Sequence, residues 1–455
     1  MIKKLHDKKS FVNLILGLLF TVLLVNLLIQ AWSLTRDVLQ MDFAAFYTAG
    51  ESLNYGLSPY LNQIVHSPPI WDGIDPFIFS RFQYPPAAAI LFHPLALLPF
   101  LTAKYVWLIL SMIAVLLSVF LTARVFPLRA SWQWLTAGIL ICAFFPLRTL
   151  VERGQIDAMT LILLTLAGYW VVQNKPREAW LAGFAIALAI LLKVYCVFLL
   201  PFLLIRRRCL TLAGVTCGLL GLLAASYIYP GGQNMWQEYI QDVLPRISYH
   251  NEGLIQERVD AELIHQVTGD VGEDATIKDG RVYQLYGFNF SSNASLMRVL
   301  LDEYFEQNAT ISRSLLSLLV FLALSLPFIP WLLRAGIDRK ADWRQEFLFW
   351  QLVMVVILLA SPLTWTMNVV WLLPIGVVVI SAWRDFGNIK LAIPLILVVA
   401  GMVFAALPDH KTLELVDYFE KTWLNHKYVL SEMLVLIGGV AYLLLTRPDQ
   451  DKIQR

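Results

Sequence analysis

The sequence predicts an all-α polytopic membrane protein, and three observations lead to that fold class. Of the 455 residues, 58% are hydrophobic and the mean hydropathy is +0.64, well above what soluble domains of this length carry. Apolar runs repeatedly approach the roughly 20 residues that an α-helix needs to cross a bilayer. Basic residues lie in short loops between alternate runs, whereas acidic residues gather in longer ones.

The first apolar run, residues 11–32, follows the lysine-rich stretch MIKKLHDKKS. It is longer than a signal-peptide core and lacks a small-x-small cleavage site, so we expect a retained membrane anchor. About twelve spans are therefore expected in one integral membrane domain, residues 1–455. The other spans are predicted near residues 101–123, 132–147, 155–173, 179–192, 195–205, 209–229, 312–333, 346–360, 365–382, 390–407 and 428–446.

Charge placement predicts the orientation of these spans. We expect the chain in the cytoplasmic membrane. The short basic loops should be cytoplasmic, and both termini should then be cytoplasmic as well. Three segments are then extracytoplasmic, and they carry most of the 33 acidic residues: a first loop at 33–100, a large loop at 230–311 and a third at 408–427. In the large loop, residues 253–267 look helical and the turn-rich stretch TGDVGEDATIKDG is expected to be a mobile tip.

Composition also limits the function classes. A net charge of +2 gives no basic face for nucleic acid, so lipids and lipid-soluble molecules are the expected partners. The four cysteines show no CxxC spacing and the histidines form no HxH or HExxH pair, so we expect neither a disulfide framework nor a metal site. Neither GxxxxGK[ST] nor a Rossmann fingerprint occurs, and no cofactor is expected.

Five unusual stretches fall at the predicted outer face, and they supply the candidate site residues. They are MDFAAFYTAG followed by GLSPY, the proline-interrupted FQYPPAAAILFHPLALLP at 82–99, LRTLVERGQIDAMT, AILLKVY, and the pair NFSSNASLMRVL with SPLTWTMNVVWLLP. The second should be interfacial or re-entrant rather than a full span, because proline interrupts a helix. The candidate residues are Asp42, Tyr84, Arg148, Arg153, Gln155, Lys193, Asn293, Trp365 and Asn368.

Each candidate also has a structural interpretation. Lys193, between two segments too short to span, either reaches the interface from a short helix or lies near a bound phosphate. Arg148 and Arg153 either pair with Glu152 and Asp157 or bind substrate. Asp42, taken alone, is an ordinary loop carboxylate. Tyr84 and Trp365 can be interface aromatics.

Together these residue types suit the transfer of a sugar from a polyprenyl phosphate to a hydroxyl. Such a transfer needs a base to take the hydroxyl proton and cations to stabilise the departing phosphate. The energy is stored in the sugar–phosphate bond, so no ATP-binding motif is needed.

At these stretches the chain resembles glycosyltransferase family 87, the polyprenol-phosphate-dependent mannosyltransferases of the C-type (GT-C) membrane glycosyltransferase fold. The matching stretches run from MDFAAFYTAGESLNYGLSPY to SPLTWTMNVVWLLP, in the family's order, over most of residues 42–374. The resemblance implies a GT-C helical bundle whose extracytoplasmic loops carry the active site. It also implies an inverting, metal-independent transfer on the outer face of the cytoplasmic membrane, with Asp42 as the general base.

The resemblance further implies that Arg153, Gln155 and Lys193 lie near the donor phosphate and that SPLTW lies beside the sugar. Three departures from the family pattern concern the sugar. Met367 and Asn368 stand where a histidine pair is frequent, Asp157 replaces a common asparagine, and Cys196 replaces a proline. The donor sugar can therefore be a mannose-like hexose or a pentose, and the acceptor a lipid or a glycan.

Two other classes fit part of the pattern. A transporter or flippase of lipid-linked glycans would share the spans and the intramembrane charges, although the sequence shows no internal repeat. A noncatalytic scaffold of a cell-envelope assembly would leave Asp42 and Lys193 dispensable.

Overall fold

The structure, a computed structural model, describes residues 2–37, 40–60, 82–244, 259–260, 275–278, 281–284, 294–300, 313–335, 342–361, 364–408 and 426–446. The first helices are α1 Ile2–Asp37, α2 Met41–Asn54, α3 Pro86–Phe92, α4 Phe100–Val125, α5 Ser131–Ala143, α6 Phe145–Arg153, α7 Asp157–Gln173, α8 Pro176–Leu192, α9 Leu200–Ile205, α10 Cys209–Ile228 and α11 Gly232–Glu238. Later helices are α12 Leu296–Leu300, α13 Arg313–Ser325, α14 Ile329–Ala335, α15 Trp343–Ala360, α16 Leu373–Ser381, α17 Ile389–Ala406 and α18 Lys427–Leu445.

The chain is a multi-pass membrane protein. Within the described residues, seven helices are long and apolar enough to cross a membrane, or eight if the bent pair α5–α6 is one span. This is fewer than the twelve predicted, and the difference lies in short apolar segments. The predicted spans at 155–173, 195–205 and 365–382 do form apolar helices, but these are shorter than a full crossing. The predicted span at 179–192 is α8, which has 17 residues and is not among the long candidate spans either.

Proline marks the points where these helices break. Residues Val194–Leu199 and Thr366–Leu372 form 3₁₀ turns, and each is followed by an α-helix with a proline at its start, Pro201 and Pro374. Proline lacks the N–H that would continue the hydrogen-bond ladder, so a helix tends to begin rather than continue there. Of the two short segments that flank Lys193, the first is part of α8, which runs unbroken to Leu192, and the second is broken into a 3₁₀ turn and α9.

The span predicted at 132–147 is a broken one. It ends at Ala143, and after a bend of 49° a second helix, α6, runs from Phe145 to Arg153 with Pro146 in its first turn. Arg148 and Arg153, which the sequence analysis put between two spans, therefore lie on a helix. The proline-rich segment at 82–99 forms only α3 and a 3₁₀ turn, Leu95–Leu97, as expected for a segment that does not span.

The centre of the bundle is α15. In its most apolar 18-residue window 83% of residues are buried, against 6% for α1, which lies at the periphery against α5 and α6. Helix α8 packs between α7 and α10, and small residues allow the α8–α10 approach. A Cβ on Gly183 would come within 2.4 Å of the Thr211 carbonyl oxygen, so only glycine fits there.

The fold is not purely helical. Three short antiparallel strands, β1 Val259–Asp260, β2 Ala275–Lys278 and β3 Arg281–Gln284, lie in the large loop in the order β1-β3-β2. The prediction of helix at 253–267 is thus wrong at Val259–Asp260. The pairing of Lys278 with Arg281 leaves a two-residue connection, Asp-Gly, which is a frequent hairpin sequence.

Candidate active site

Asp42 lies in the first turn of α2, and that turn is fixed by its N-cap residue. Gln40 adopts a left-handed backbone, φ 57°, and its side-chain amide donates to the Val151 carbonyl of α6 at 2.9 Å. The start of α2 is therefore held against α6. A carboxylate in this position is favoured by the partial positive charge at a helix N-terminus, and Asp42 is buried.

Gly154 brings the end of α6 against the start of α2. It has φ 66°, and the N–H of the next residue, Gln155, bonds back to the Leu150 carbonyl at 3.1 Å, which closes the helix as a Schellman turn. A Cβ at Gly154 would lie 2.5 Å from the Cβ of Phe43. Both the backbone angle and the close approach therefore require glycine. Trp107 donates its indole N–H to the Gly154 carbonyl at 2.9 Å.

This turn directs Gln155 to Asp42. The Gln155 Nε2 donates to Asp42 Oδ2 at 3.2 Å, between residues 113 positions apart. Its Oε1 accepts from the N–H of Ile156 at 2.8 Å, which fixes which end of the amide faces the carboxylate. Both side chains are buried, so the contact is shielded from bulk water.

Lys193 forms a buried ion pair with Asp157. The distance from Lys193 Nζ to Asp157 Oδ2 is 3.3 Å, and the two side chains are 8% and 0% exposed. Asp157 begins α7 and Lys193 caps the end of α8, so the antiparallel pair of helices brings them together. The interpretation of Lys193 as a residue reaching out to the interface is therefore wrong, because its charge is held inside by a partner.

Asn368 links this ion pair to the SPLTW segment. Its Nδ2 donates to Asp157 Oδ1 and, at 3.3 Å, to the Tyr195 hydroxyl, while its Oδ1 accepts from the backbone N–H of Trp365. Trp371 donates to the Asp157 backbone carbonyl at 3.3 Å. Two of the residues that depart from the family pattern, Asp157 and Asn368, are thus direct partners.

Tyr84 belongs to the same place. Burial raises the pKa of Tyr84 to about 12, with Lys193 opposing that rise and Asp157 and Asp42 adding to it. The hydroxyl is therefore within electrostatic reach of both carboxylates and the lysine. With this pKa it stays protonated at neutral pH and can donate a hydrogen bond. Its ring lies 5.0 Å from that of Phe46 on α2.

Arg148 and Arg153 lie on α6, half-buried. Within the described residues neither arginine pairs with Glu152 or Asp157, so that interpretation is wrong: Glu152 is exposed and Asp157 pairs with Lys193. The Nε of Arg148 is buried with no hydrogen-bond partner in the described part of the chain. Asn293 lies outside the described residues.

The structure therefore brings together Asp42, Tyr84, Gln155, Lys193 and Asn368, with Trp365 joined through its backbone. Sequence reasoning recognised Asp157 as unusual but missed it as the partner of Lys193. It also missed Gln40 and Tyr195, which carry no motif of their own. Among the described residues, no three His, Cys, Asp or Glu side chains are grouped in a way that could hold a metal ion.

Comparison with known families confirms the sequence resemblance. The sequence profile of glycosyltransferase family 87 matches residues 82–271 of this chain. That segment contains Tyr84, Arg148, Arg153, Gln155 and Lys193, but not Asp42 or Asn368.

Curated proteins that are similar to this chain are also glycosyltransferases. An alpha-(1->3)-arabinofuranosyltransferase of Mycobacterium tuberculosis (strain ATCC 25618 / H37Rv) is 29% identical over 150 residues, 32% of this chain and 33% of the relative. A polyprenol-phosphate-mannose-dependent alpha-(1-2)-phosphatidylinositol pentamannoside mannosyltransferase of Mycobacterium tuberculosis (strain CDC 1551 / Oshkosh) is 26% identical over 300 residues, 65% of this chain and 57% of the relative. The mannosyltransferase of that description from Mycolicibacterium smegmatis is 34% identical over 112 residues, 24% of this chain and 25% of the relative. The chain thus matches between a quarter and just over half the length of these relatives.

Proposed function

We propose that this protein is a glycosyltransferase that moves a sugar from a polyprenyl-phosphate donor to a hydroxyl of a lipid-linked or glycan acceptor. The observation that carries the proposal is the convergence of Asp42, Gln155, Asp157 and Lys193 in one buried place, from three separate parts of the chain. The resemblance to family 87 and the names of the curated relatives support it.

In the proposed mechanism Asp42 is the general base. It takes the proton of the acceptor hydroxyl as that oxygen forms its bond to the anomeric carbon of the donor sugar. The bond between the anomeric carbon and the phosphate oxygen breaks on the opposite face, so the transfer inverts configuration. The electron pair leaves with the polyprenyl phosphate. Gln155 keeps Asp42 Oδ2 in place.

The departing phosphate gains negative charge, and the cations that we assign to its stabilisation are Lys193, Arg148 and Arg153. Lys193 is already paired with Asp157, so its attraction to the phosphate competes with that ion pair. The two arginines have no such partner among the described residues. Tyr84, which stays protonated, can donate a hydrogen bond to the phosphate or to the sugar.

The sugar contacts are assigned to the SPLTW side of the site. Asn368 accepts a hydrogen bond from the backbone N–H of Trp365 and donates one to Asp157. It therefore links the SPLTW segment to the ion pair. An amide and a carboxylate form different hydrogen bonds with hydroxyl groups than a histidine pair does. The relatives include both arabinofuranosyl and mannosyl transferases, and we keep a pentose and a mannose-like hexose as the two candidates.

The experiment that tests this proposal is a donor panel. The purified full chain in detergent or liposomes is given polyprenyl-phosphate mannose, polyprenyl-phosphate arabinofuranose or the corresponding nucleotide sugars, with octyl glycosides as acceptors. Transfer from at least one lipid-phosphate donor and from no nucleotide sugar is expected. Binding or translocation of lipid-linked glycans without transfer would instead support the transporter alternative.

A further inference from the structure

A group of side chains beside Tyr84 takes no part in the mechanism described so far. Ser58 and Tyr60 come from the GLSPY turn, and Glu238 and Tyr239 come from the end of α11, about 180 residues later in the chain. The Ser58 hydroxyl donates to a Glu238 carboxylate oxygen. The rings of Tyr60 and Tyr239 lie 5.8 Å apart.

This group is continuous with the candidate active site. The Tyr60 hydroxyl donates to the backbone carbonyl of Tyr84 at 2.7 Å. Phe82 lies between the two tyrosine rings, 5.8 Å from Tyr60 and 5.6 Å from Tyr84. Because the Tyr84 hydroxyl is within electrostatic reach of Asp42, a molecule lying along Tyr60 could place one of its hydroxyls near that carboxylate.

The group is also partly open to its surroundings. Ser58, Tyr60 and Glu238 are half-buried, whereas Tyr239 is buried and packs against the Tyr60 ring. On its other side Tyr239 meets the ring of Trp236 edge-on at 5.7 Å. The helix widens into a π-turn at Tyr239–Val243, a local irregularity that is frequent at functional sites.

A carboxylate beside an aromatic ring has the chemistry that recognises a neutral sugar. The carboxylate accepts hydrogen bonds from hydroxyl groups, and the ring packs against the apolar face of the pyranose or furanose. A carboxylate at position 238 also disfavours an anionic group beside it. The proposed donor phosphate is assigned instead to the neighbourhood of Lys193, which is paired with Asp157.

We infer that Ser58, Tyr60 and Glu238 form the acceptor subsite of this enzyme, and that it takes the neutral terminal sugar of a glycoside. Glu238 accepts hydrogen bonds from the acceptor's non-reacting hydroxyls, and Tyr60 supports the ring face. Neither residue takes part in bond making or breaking. The inference rests on the proposed function, since it assigns the second substrate of the same reaction.

The test compares acceptor and donor kinetics in the purified full chain. Octyl α-mannoside and octyl α-arabinofuranoside serve as acceptor probes, with the polyprenyl-phosphate sugar that the wild type uses. Glu238→Gln keeps the size of the side chain but weakens a charge-assisted hydrogen bond. It should raise the acceptor KM by about tenfold or more and leave the donor KM unchanged. Ser58→Ala, which removes the partner that orients Glu238, should raise the acceptor KM by a smaller factor.

The matched control is Gln237→Ala, the exposed neighbour on the same helix, which should leave both constants unchanged. Monodisperse elution of every variant shows that it folds. An unchanged acceptor KM in both Glu238→Gln and Tyr60→Leu, or an equal rise in the donor KM, would overturn the acceptor assignment while the transferase function stands. If the wild type transfers no sugar to any glycoside, both the subsite and the proposed function fail.

Discussion

Two clusters of buried charged side chains lie at opposite ends of α7, and they differ in how accessible their surroundings are to other molecules. We call the cluster at the start of α7 the outer cluster, after the orientation that the sequence predicts; it pairs Asp157 with Lys193 and joins Asp42 through Gln155. The inner cluster lies about 25 Å away, at the other end of the helix. There Glu346 of α15 contacts both Arg206 and Arg208, and Arg208 donates to Asn174 at 2.8 Å.

The inner cluster is the more enclosed of the two. Arg206 is 1% exposed, and its guanidinium lies 5.4 Å from the Trp331 ring, so the cluster ties α7, α10, α14 and α15 together. The outer cluster is bordered by half-buried Tyr84, Arg148 and Arg153. A buried ion pair is therefore not by itself a sign of function. What distinguishes the outer cluster is a carboxylate held by an amide beside side chains that remain reachable.

The largest expected effect is on catalysis by the outer cluster. Asp42→Asn keeps the shape of the side chain and a hydrogen-bond acceptor but removes the base. Transfer should fall about 10²-fold or more, the usual range for a positioned general base. The measurement is turnover per folded protein, with donor binding followed in parallel. Near-normal turnover in this variant would remove Asp42 from the mechanism.

The second effect concerns the Asp157–Lys193 pair. Lys193→Met alone leaves a buried carboxylate without its cation and should destabilise the protein by about 3–5 kcal/mol. The double variant Lys193→Met with Asp157→Asn should recover most of that stability, because no net charge stays buried. Thermal unfolding in detergent checks both. If the double variant is stable and still binds donor normally, Lys193 has no role at the phosphate.

The third effect is on the inner cluster, and it should be purely structural. Glu346→Ala leaves two buried guanidiniums without their shared acid, so a loss of stability of about 3–5 kcal/mol is expected. Turnover per folded protein should match the wild type. A selective loss of turnover in material that remains fully folded would show that the inner cluster acts on the reaction, and the contrast between the clusters would be lost.

The smallest effect is a pH dependence within the outer region. Burial raises the pKa of Glu51 on α2 to about 7, and its Oε2 has no hydrogen-bond partner within the described residues. The folded state therefore favours the neutral form. Stability from this group is present below about pH 4.5 and is lost as pH rises towards 7. Glu51→Gln should flatten the fall in melting temperature between pH 5 and 8, and Glu152→Gln, an exposed control, should not.

The helices were largely predictable, since hydropathy and proline are local signals. The predicted spans at 101–123, 209–229 and 390–407 differ from α4, α10 and α17 by at most two residues at either end. The number of full crossings was not predictable in the same way, because a short apolar segment in the middle of a bundle has the same composition as a span. The stretch TGDVGEDATIKDG, predicted to be a mobile tip, contributes Ala275–Lys278 to β2, and the rest of it lies outside the described residues.

The site was predictable in its residue types and not in its pairings. Asp42, Gln155, Lys193 and Asn368 were candidates because they are polar groups near the ends of apolar runs. Their partners are set by how α2, α6, α7 and α8 meet, across 113 residues for Gln155 with Asp42 and 211 for Asn368 with Asp157. No local pattern encodes such contacts. The alternative that Arg148 and Arg153 pair with Glu152 and Asp157 relied on nearness in sequence, and neither arginine forms such a pair among the described residues.

The claim that the outer cluster faces away from the cytoplasm can be tested most directly by thiol labelling in intact cells or spheroplasts. In a background without the four native cysteines, single cysteines replace Tyr55, next to α2, or Arg177, at the start of α8; both positions are exposed. An impermeant reagent should label position 55 and leave 177 unlabelled until the membrane is opened. Labelling of 177 with protection of 55 would put Asp42 on the face where nucleotide sugars are available, and would contradict the polyprenyl-phosphate assignment.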